Sequence, residues 1–422
     1  MGIYEVKNGS EVFLMDKELV YAVWYHKLFG KNKTAKKALG FYKSFEKLYD
    51  ALINDKDETG FTDKIKPGKL SSFSLLDAEL VIKECEENGW KIIPSYSKSY
   101  PKQLLEIGDH PEILFCDGKT EVLERSMTVG IVGSREAVAD AEVTARNAAY
   151  NLAKTGAVIV SGAALGIDSC AHLGAVDAGG LTVGVLGCGL GSSYMKRIGD
   201  FYDKIRNNGC YITELFPHTN ASKFTFPERN RLISGLSRAL LVACAAENSG
   251  SLITAELAKK QKRRVYAMAP EICYSIGCEK LIADGAYSFY TAGDIAYPMK
   301  EFYEAEEFSE AWCNRPVTVK GNDVKREDMA LPKKKTGSSS VKKDSSRKTE
   351  EKPAEKKEEP KKLPSLSENA EKIYELLGEE AVSINSLTGL TGLKINQVLT
   401  GVGELTMKKL IKQLPGSRIQ KV

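Results

Sequence analysis

The run FPERNRLISGLSR, Phe226 to Arg238, sets Arg229 and Arg231 around Asn230, immediately before an apolar helical pattern of Leu232, Ile233 and Leu236. Guanidinium forks suit phosphate and carboxylate oxygens. A helix mouth adds free N–H groups and a partial positive charge. The chemistry implied is anion binding. Other turns repeat the theme. GIVGSRE carries Gly133, Ser134 and Arg135, and IVSGAALGIDSCAH carries Ser161, Gly162, Gly166, Asp168 and His172. VLGCGLGSS carries Gly187, Gly189 and Gly191, ITELF carries Glu214, and AENSGSLITAE carries Asn248, Ser249, Gly250 and Ser251. Glycines admit positive φ and close approach of backbone to a ligand. Asp168 reads as the N-cap of the helix that carries His172. His172 has no Cys, His or carboxylate partner at ligand spacing, so it reads as a packed, hydrogen-bonded histidine, and no metal site is expected.

Rival motifs fail on inspection. A dinucleotide fingerprint needs G-x-G-x-x-G, and GCGLGS has Ser192 at the third glycine. No G-x-x-x-x-G-K-[ST] phosphate loop and no G-x-S-x-G elbow occur. Glu214 lacks an evident proton donor, and Glu256 reads as a solvent-facing helix residue. No cofactor and no catalytic residue are expected.

The turns follow apolar runs at 128–134, 157–162, 181–189, 210–215, 239–246 and 264–269, with helical stretches at 138–154, 168–178, 199–208, 229–236 and 251–262. Continuous apolar strands alternating with helices predict a doubly wound, mostly parallel α/β sheet. Ligands of such sheets bind beyond the carboxyl ends of the strands, so the turns should converge on one crevice.

Around this core the chain changes character. Residues 1–100 carry helical patterns joined by LFGKNKTAKKAL, which suits a small helical module of SAM or helix-hairpin-helix type. The α/β region spans 101–316. From 317 to 363 the sequence predicts a disordered basic linker, since only Val341 and Ala354 between 333 and 362 are aliphatic. Residues 364–422 offer three short helical patterns and the hairpin signal QLPGSR, a winged helix-turn-helix. Lys394, Asn396 and Gln397 would open its recognition helix, with Arg418 on the wing.

The net charge of +4 over 422 residues is misleading. Residues 333–362 hold 12 basic and 6 acidic side chains, a local +6, which leaves −2 for the rest. Any anion site must therefore be a local cluster. Nine scattered cysteines without a C-x-x-C pair read as reduced thiols. No apolar run is long enough for a membrane span, and the opening MGIYEVKNGSEVFLMDK lacks the pattern of a secretory leader. A cytoplasmic setting is expected.

Taken together, VGIVGSRE, VIVSGAALGIDSCAHLGAVDAGGLTVGVLGCGL, ITELFP, FPERNRLISGLSRALLV, SGSLITAELA and LIADGA resemble the DprA/Smf family of bacterial DNA-processing proteins, as does the lead-in GWKIIPSYSKSYPKQLLEIGDHPEILFCDG. The resemblance implies an extended Rossmann-like domain with an N-terminal helical module and a C-terminal winged helix. It implies a non-enzymatic, homodimeric binder of single-stranded DNA that protects incoming strands and loads the RecA recombinase during natural transformation. The winged helix would be a further contact for duplex DNA. Gly133, Ser134, Arg135, Ser161, Gly162, Gly166, Asp168, Arg229, Asn230, Arg231, Ser249, Gly250 and Ser251 would form the DNA pocket, with the three arginines on the backbone. Phe224, Phe226 and Tyr274 are candidate stacking residues. The sequence departs from the family pattern at Cys244, Met195, Ala269-Pro270 and Cys278-Glu279. A second reading is a nucleotide phosphoribohydrolase-like enzyme on a related Rossmann-like fold. It requires P-G-G-x-G-T-x-x-E, and NSGSLITAE lacks the double glycine.

Overall fold

Runs such as TVGIVG and ALLVAC have no polar face to turn to solvent, so as strands they need cover on both sides. In the computed structural model they receive it. The structure describes residues 3–8, 11–195, 200–304 and 306–317, then 366–377 and parts of 382–421. The chain divides into two units, 1–336 and 337–422.

The first unit opens with an antiparallel hairpin of β1 (Ile3–Asn8) and β2 (Glu11–Asp16). Helices α1 (Lys17–Phe29), α2 (Lys33–Tyr42), α3 (Phe45–Ile53) and α4 (Leu75–Glu87) follow. Each begins where a short polar side chain accepts from a first-turn amide: Asp16, Asn32, Ser44 and Ser74. Next come β3 (Lys91–Pro94), α5 (Lys102–Leu105), β4 (Ile113–Gly118), β5 (Thr128–Gly133), α6 (Ala139–Lys154), β6 (Val158–Ser161), α7 (Ile167–Asp177) and β7 (Thr182–Val185). The unit continues with α8 (Asp200–Asn207), β8 (Gly209–Thr213), α9 (Thr225–Leu236), β9 (Ala239–Cys244), α10 (Gly250–Lys260), β10 (Arg264–Met268), α11 (Ile276–Ala283), β11 (Tyr287–Phe289) and α12 (Gly293–Ala296).

One nine-stranded sheet runs β11-β10-β9-β5-β6-β7-β8-β4-β3. β11 through β8 are parallel, and β4 and β3 extend the sheet antiparallel. The six expected strands are β5 to β10, and the sheet adds β3, β4 and β11 to them. From central β5 the chain winds outward to β8, then returns through α9 to β9 on the other side of β5. That reversal is the topological switch point, where a crevice opens at the strands' carboxyl ends.

Two cores cover the sheet. One joins the sheet to α6, α7, α9 and α10 through residues such as Ile131, Leu152, Ile159, Leu232 and Leu241. The other joins Trp24, Tyr25 and Leu48 of the N-terminal helices to Phe115 of β4 and Tyr211 of β8. The first hundred residues therefore share a core with the sheet.

The second unit contains α13 (Glu368–Leu376), β12 (Val382–Ser383), α14 (Ile395–Met407), β13 (Ile411–Leu414) and β14 (Arg418–Lys421). Its antiparallel sheet, ordered β12-β14-β13, packs with the helices around Ala370, Ile373, Val398, Leu405 and Ile419. This is a winged helix, and the QLPGSR hairpin joins β13 to β14. Gln397 falls in the first turn of α14, and Arg418 opens β14. Lys394 and, Val317 apart, the whole stretch 317–363 lie outside the described residues.

Because one core spans the helices and the sheet, Phe115→Ala should cost about 3–5 kcal/mol. Denaturant unfolding followed by tryptophan emission and by far-UV circular dichroism should show one coincident, shifted transition for the first unit. Separate transitions would mean that the helices and the sheet fold independently.

Candidate nucleic-acid interface

A crevice of about 530 Å³ lies at the switch point. Four elements line it: the turn after β5, the start of α7, the lead-in and first turns of α9, and the start of α10. The β5 turn is pinned on both sides. The Ser134 amide donates to the Cys244 carbonyl at 2.8 Å, and the Ile167 amide donates to the Ser134 carbonyl at 3.1 Å. Gly166 has φ +80°, and a side chain there would run into the Ser134 carbonyl. The lead-in to α9 is locked by the Ser222 amide donating to Thr225 Oγ1 at 2.9 Å and the Thr225 amide donating to Ser222 Oγ at 3.2 Å. This lock starts α9 at Thr225, four residues before the helical stretch expected from 229.

The helix starts differ as anion sites. Acidic residues sit in the first turns of α6 (Asp140, Glu142), α7 (Asp168) and α9 (Glu228), but α10 has none. Ser249 caps α10 by accepting from the Ser251 amide at 3.3 Å. The positive end of α10 is thus the one left open to an anion, beside Ser249, Gly250, Ser251 and Thr254.

Nine of the thirteen expected pocket residues line the crevice: Gly133, Ser134, Arg135, Asp168, Arg229, Asn230, Ser249, Gly250 and Ser251. Arg135 is exposed, and its guanidinium lies 4.8 Å from the centroid of the Phe226 ring. Arg229 is only 4% exposed. Its Nη1 donates to the Gly162 carbonyl at 2.6 Å and also to the Val185 carbonyl, while its Nε has no partner. Burial lowers its pKa, against the pull of Asp168. The Asp168 carboxyl beside it is buried, which raises its pKa; Arg229, the Ser161 hydroxyl and the Ala164 amide act the other way. Asp168 is not the N-cap that the sequence implies. Gly166 holds that position, and Asp168 turns inward from the first turn.

Ser161, Gly162 and Gly166 stand behind the crevice wall. Ser161 is fully buried and donates to the Ile131 carbonyl at 2.6 Å. Arg231 does not reach the crevice at all. It pairs with the buried Glu214, donates to the Asp109 carbonyl at 2.6 Å and lies 3.5 Å from the Asp109 carboxylate. Residues two apart on a helix point to nearly opposite sides, so R-N-R cannot aim both guanidinium groups at one ligand. Glu214 is further held by Lys31 at 3.0 Å and passes its carbonyl to His26 at 2.7 Å. It is therefore committed to an ion-pair network.

Among the lining residues outside the expected set, Lys223 and Phe226 bear most on ligand binding. Lys223 is exposed in the crevice, and neither it nor Arg135 has a carboxylate within ion-pair distance among the described residues. Phe226, a candidate stacking residue from the sequence, is half-buried and packs T-shaped with Tyr194, and both Arg135 and Arg229 lie over its ring. The signal was the spacing K-F-T-F-P, which places Lys223 one turn ahead of Phe226. Tyr274 is exposed away from the lining and donates to Glu279. The charged lining residues are Arg135, Lys223 and Arg229 against Glu136 and Asp168, a balance of +1 with all ionised.

His172 is packed as expected. Thr182 Oγ1 donates to the Ile159 carbonyl at 2.8 Å, so it accepts from His172 Nδ1–H at 2.6 Å. Burial, with Arg229 nearby, pulls the imidazole pKa down to about 3. Among the described residues, no group of three His, Cys, Asp or Glu is placed to hold a metal, and no helix is long and apolar enough to cross a membrane.

The family model described as DNA recombination-mediator protein A matches residues 91–300, and the DprA winged helix domain matches 357–417. The DNA processing protein DprA of Bacillus subtilis (strain 168) is 36% identical over 223 residues, 52% of this chain and 75% of that protein. The DNA processing protein DprA of Streptococcus pneumoniae is 39% identical over 207 residues, 48% of this chain and 73% of that protein. The X-ray structure of DprA from Streptococcus pneumoniae matches with a TM-score of 0.54 at 29% identity, over 66% of this chain and 97% of that one.

Arg231→Ala strands a buried carboxylate, so it should destabilise the fold. We expect about 3 kcal/mol, the lower end of the usual range because Lys31 stays beside Glu214; Arg135→Ala should leave the unfolding midpoint unchanged. Equal midpoints for the two variants would contradict the network. His172 binds its proton far less readily folded than unfolded, so its contribution is complete above pH 6.5 and is lost as pH falls toward 3. Between pH 7 and pH 5 this amounts to about 2 kcal/mol, and His172→Asn should remove that slope from the stability profile.

Proposed function

The chain belongs to the DprA/Smf family of DNA-processing proteins, and on that premise we propose that it binds single-stranded DNA in the switch-point crevice, without cleaving it, and passes the strand to RecA. The observation that carries this reading is a pair of exposed cations, Arg135 and Lys223, with no carboxylate within ion-pair distance among the described residues, in one crevice with the Phe226 ring. Phosphates would seat on these two groups and on the amides that open α10. Phe226 would offer its remaining face to a base, a contact that tolerates any sequence because every base has a π-face. Arg229 would act from within the wall, fixing α9 against the strand ends. Asn230 and Thr254 supply polar groups at the same rim.

Several features favour a binder over a phosphoribohydrolase. Glu214 is engaged by Arg231 and Lys31, and Glu256 is exposed beside Lys259 at 3.4 Å. The crevice acids are Glu136, which is exposed, and Asp168, which is held in the wall. Neither is paired with a second group poised to pass a proton. In the same reading the protein acts as a cytoplasmic homodimer, protects incoming strands during transformation, and uses its winged helix for duplex contact or docking.

Two free cations set the scale of the salt effect. The slope of log affinity against log salt for oligo-dT should be about −1.4 per crevice, at about −0.7 per neutralised phosphate of a single strand. Arg135→Ala/Lys223→Ala should bind about a hundredfold more weakly at low salt, as two charge-assisted contacts imply, with a slope near zero. Fluorescence anisotropy measures both. Unchanged affinity in the double variant would reject the crevice as the DNA site.

A further inference from the structure

Polar groups line much of the crevice, but large exposed apolar side chains stand in its lining, Ile253 at 51% exposure, and on the turns and lead-in segments that form it, Val138 at 66%, Leu165 at 56% and Phe224 at 70%. Phe224 is the most exposed and the most firmly presented. Its amide donates to Ser222 Oγ at 3.2 Å, inside the reciprocal Ser222–Thr225 lock that starts α9. The ring therefore projects from a fixed backbone. Its neighbour Lys223 lines the crevice, yet its ammonium lies 5.2 Å from the centroid of the Phe224 ring. One side chain thus joins the crevice to an aromatic face outside it.

We propose that Phe224 is a second base-stacking platform, for the nucleotide that leaves the crevice next to the phosphate held by Lys223. This rests on the single-strand reading above. In the free protein the ring quadrupole holds the ammonium over the ring. A phosphate is the stronger partner, since it offers full negative charge and hydrogen-bond acceptors. When Lys223 turns to it, the face that the ammonium covered is free for the adjoining base. Phosphate capture and base stacking are then linked through one residue pair, and the footprint extends beyond the crevice without base readout. An apolar ring at 70% exposure otherwise has only solvent to face.

The test uses the full chain and fluorescein-labelled oligothymidylate of two lengths, roughly 3 and 15 nucleotides, since single-strand sites of this kind span about 4–16 nucleotides. Phe224→Ala should weaken the long oligonucleotide about tenfold, within the range that loss of one stacked base gives, and leave the short one unchanged. Phe224→Trp should restore the long-oligonucleotide affinity, and its added emission should be quenched on binding. Lys223→Ala/Phe224→Ala should lose less than the product of the two single losses. Equal affinity of Phe224→Ala and the parent for both lengths overturns the proposal, as it would if the ring served a protein partner instead. Equal weakening at both lengths also overturns it, because the ring would then belong to the crevice itself. Failure of the single-strand reading looks different: Arg135→Ala would then leave binding of both lengths intact.

Discussion

One buried guanidinium ties the crevice together. Arg229 reaches from α9 to the carbonyls of Gly162 and Val185, where β6 and β7 end, beside the carboxyl of Asp168 at the start of α7. Two strand ends and two helices meet on that group. A side chain at Gly162 would collide with it, so the glycine is required by the close approach. A charge so deeply buried is tolerable only with such partners, and removing it would leave Asp168 in the wall without its compensating cation. The shape of the crevice thus follows from an interaction that no ligand needs to touch.

Arg231 fastens the opposite side of α9. Through Glu214 it reaches His26 of α1 and Lys31 of the turn that follows, so the helix that forms one wall is also fixed to the N-terminal helices. Two arginines of one motif are used to hold a helix in place, and the cations left for a ligand come from the turn before α6 and the lead-in to α9. This division is physically sensible. The buried guanidinium groups are engaged by carbonyls and carboxylates inside the fold, whereas Arg135 and Lys223 keep their hydration and their reach. The lining balance is +1, and the chain outside the basic stretch 333–362 carries −2. Attraction for a polyanion would therefore come from short contacts and aligned amides, and a long-range field would contribute little.

Much of this was legible in the sequence. Uninterrupted apolar runs with helical spacers gave β5 to β10 and the place of the crevice, because parallel strands must be buried on both faces. The turns at Gly133–Arg135 and Ser249–Ser251 fell where strand ends put them. β11 was missed because it is only three residues long, and β3 and β4 because they lie antiparallel at an edge where no helical crossover announces them. The facing of α9 was misjudged for a different reason. Residue types announced anion affinity, but the partner of Arg231 is Glu214, seventeen positions away on another element. Asp168 was misplaced by two residues, since Gly166 at φ +80° takes the cap position. Lys223 went unnoticed because a single lysine ahead of a helix start belongs to no periodic pattern, and only its spacing from Phe226 pointed to the crevice.

The geometry also bears on whether the anion is a small phosphate compound or a polymer. In a dinucleotide site the pyrophosphate rests on the helix that follows the first strand, beneath a glycine turn. Here that helix is α6, which opens with Asp140 and Glu142, and the third glycine of GCGLGS is Ser192. A diphosphate placed there would meet two carboxylates at the end of the helix dipole it needs. The open amides are instead those of α10, across the switch point, and the free cations stand at the mouth, among exposed apolar side chains. Small-molecule sites enclose most of their ligand and converge their polar groups on it. A crevice with its charges at the rim and aromatic faces beside them suits a ligand that enters, bends and leaves, with phosphates and flat apolar groups alternating along its length. A flexible polynucleotide strand has that chemistry, and a mononucleotide has only one repeat of it.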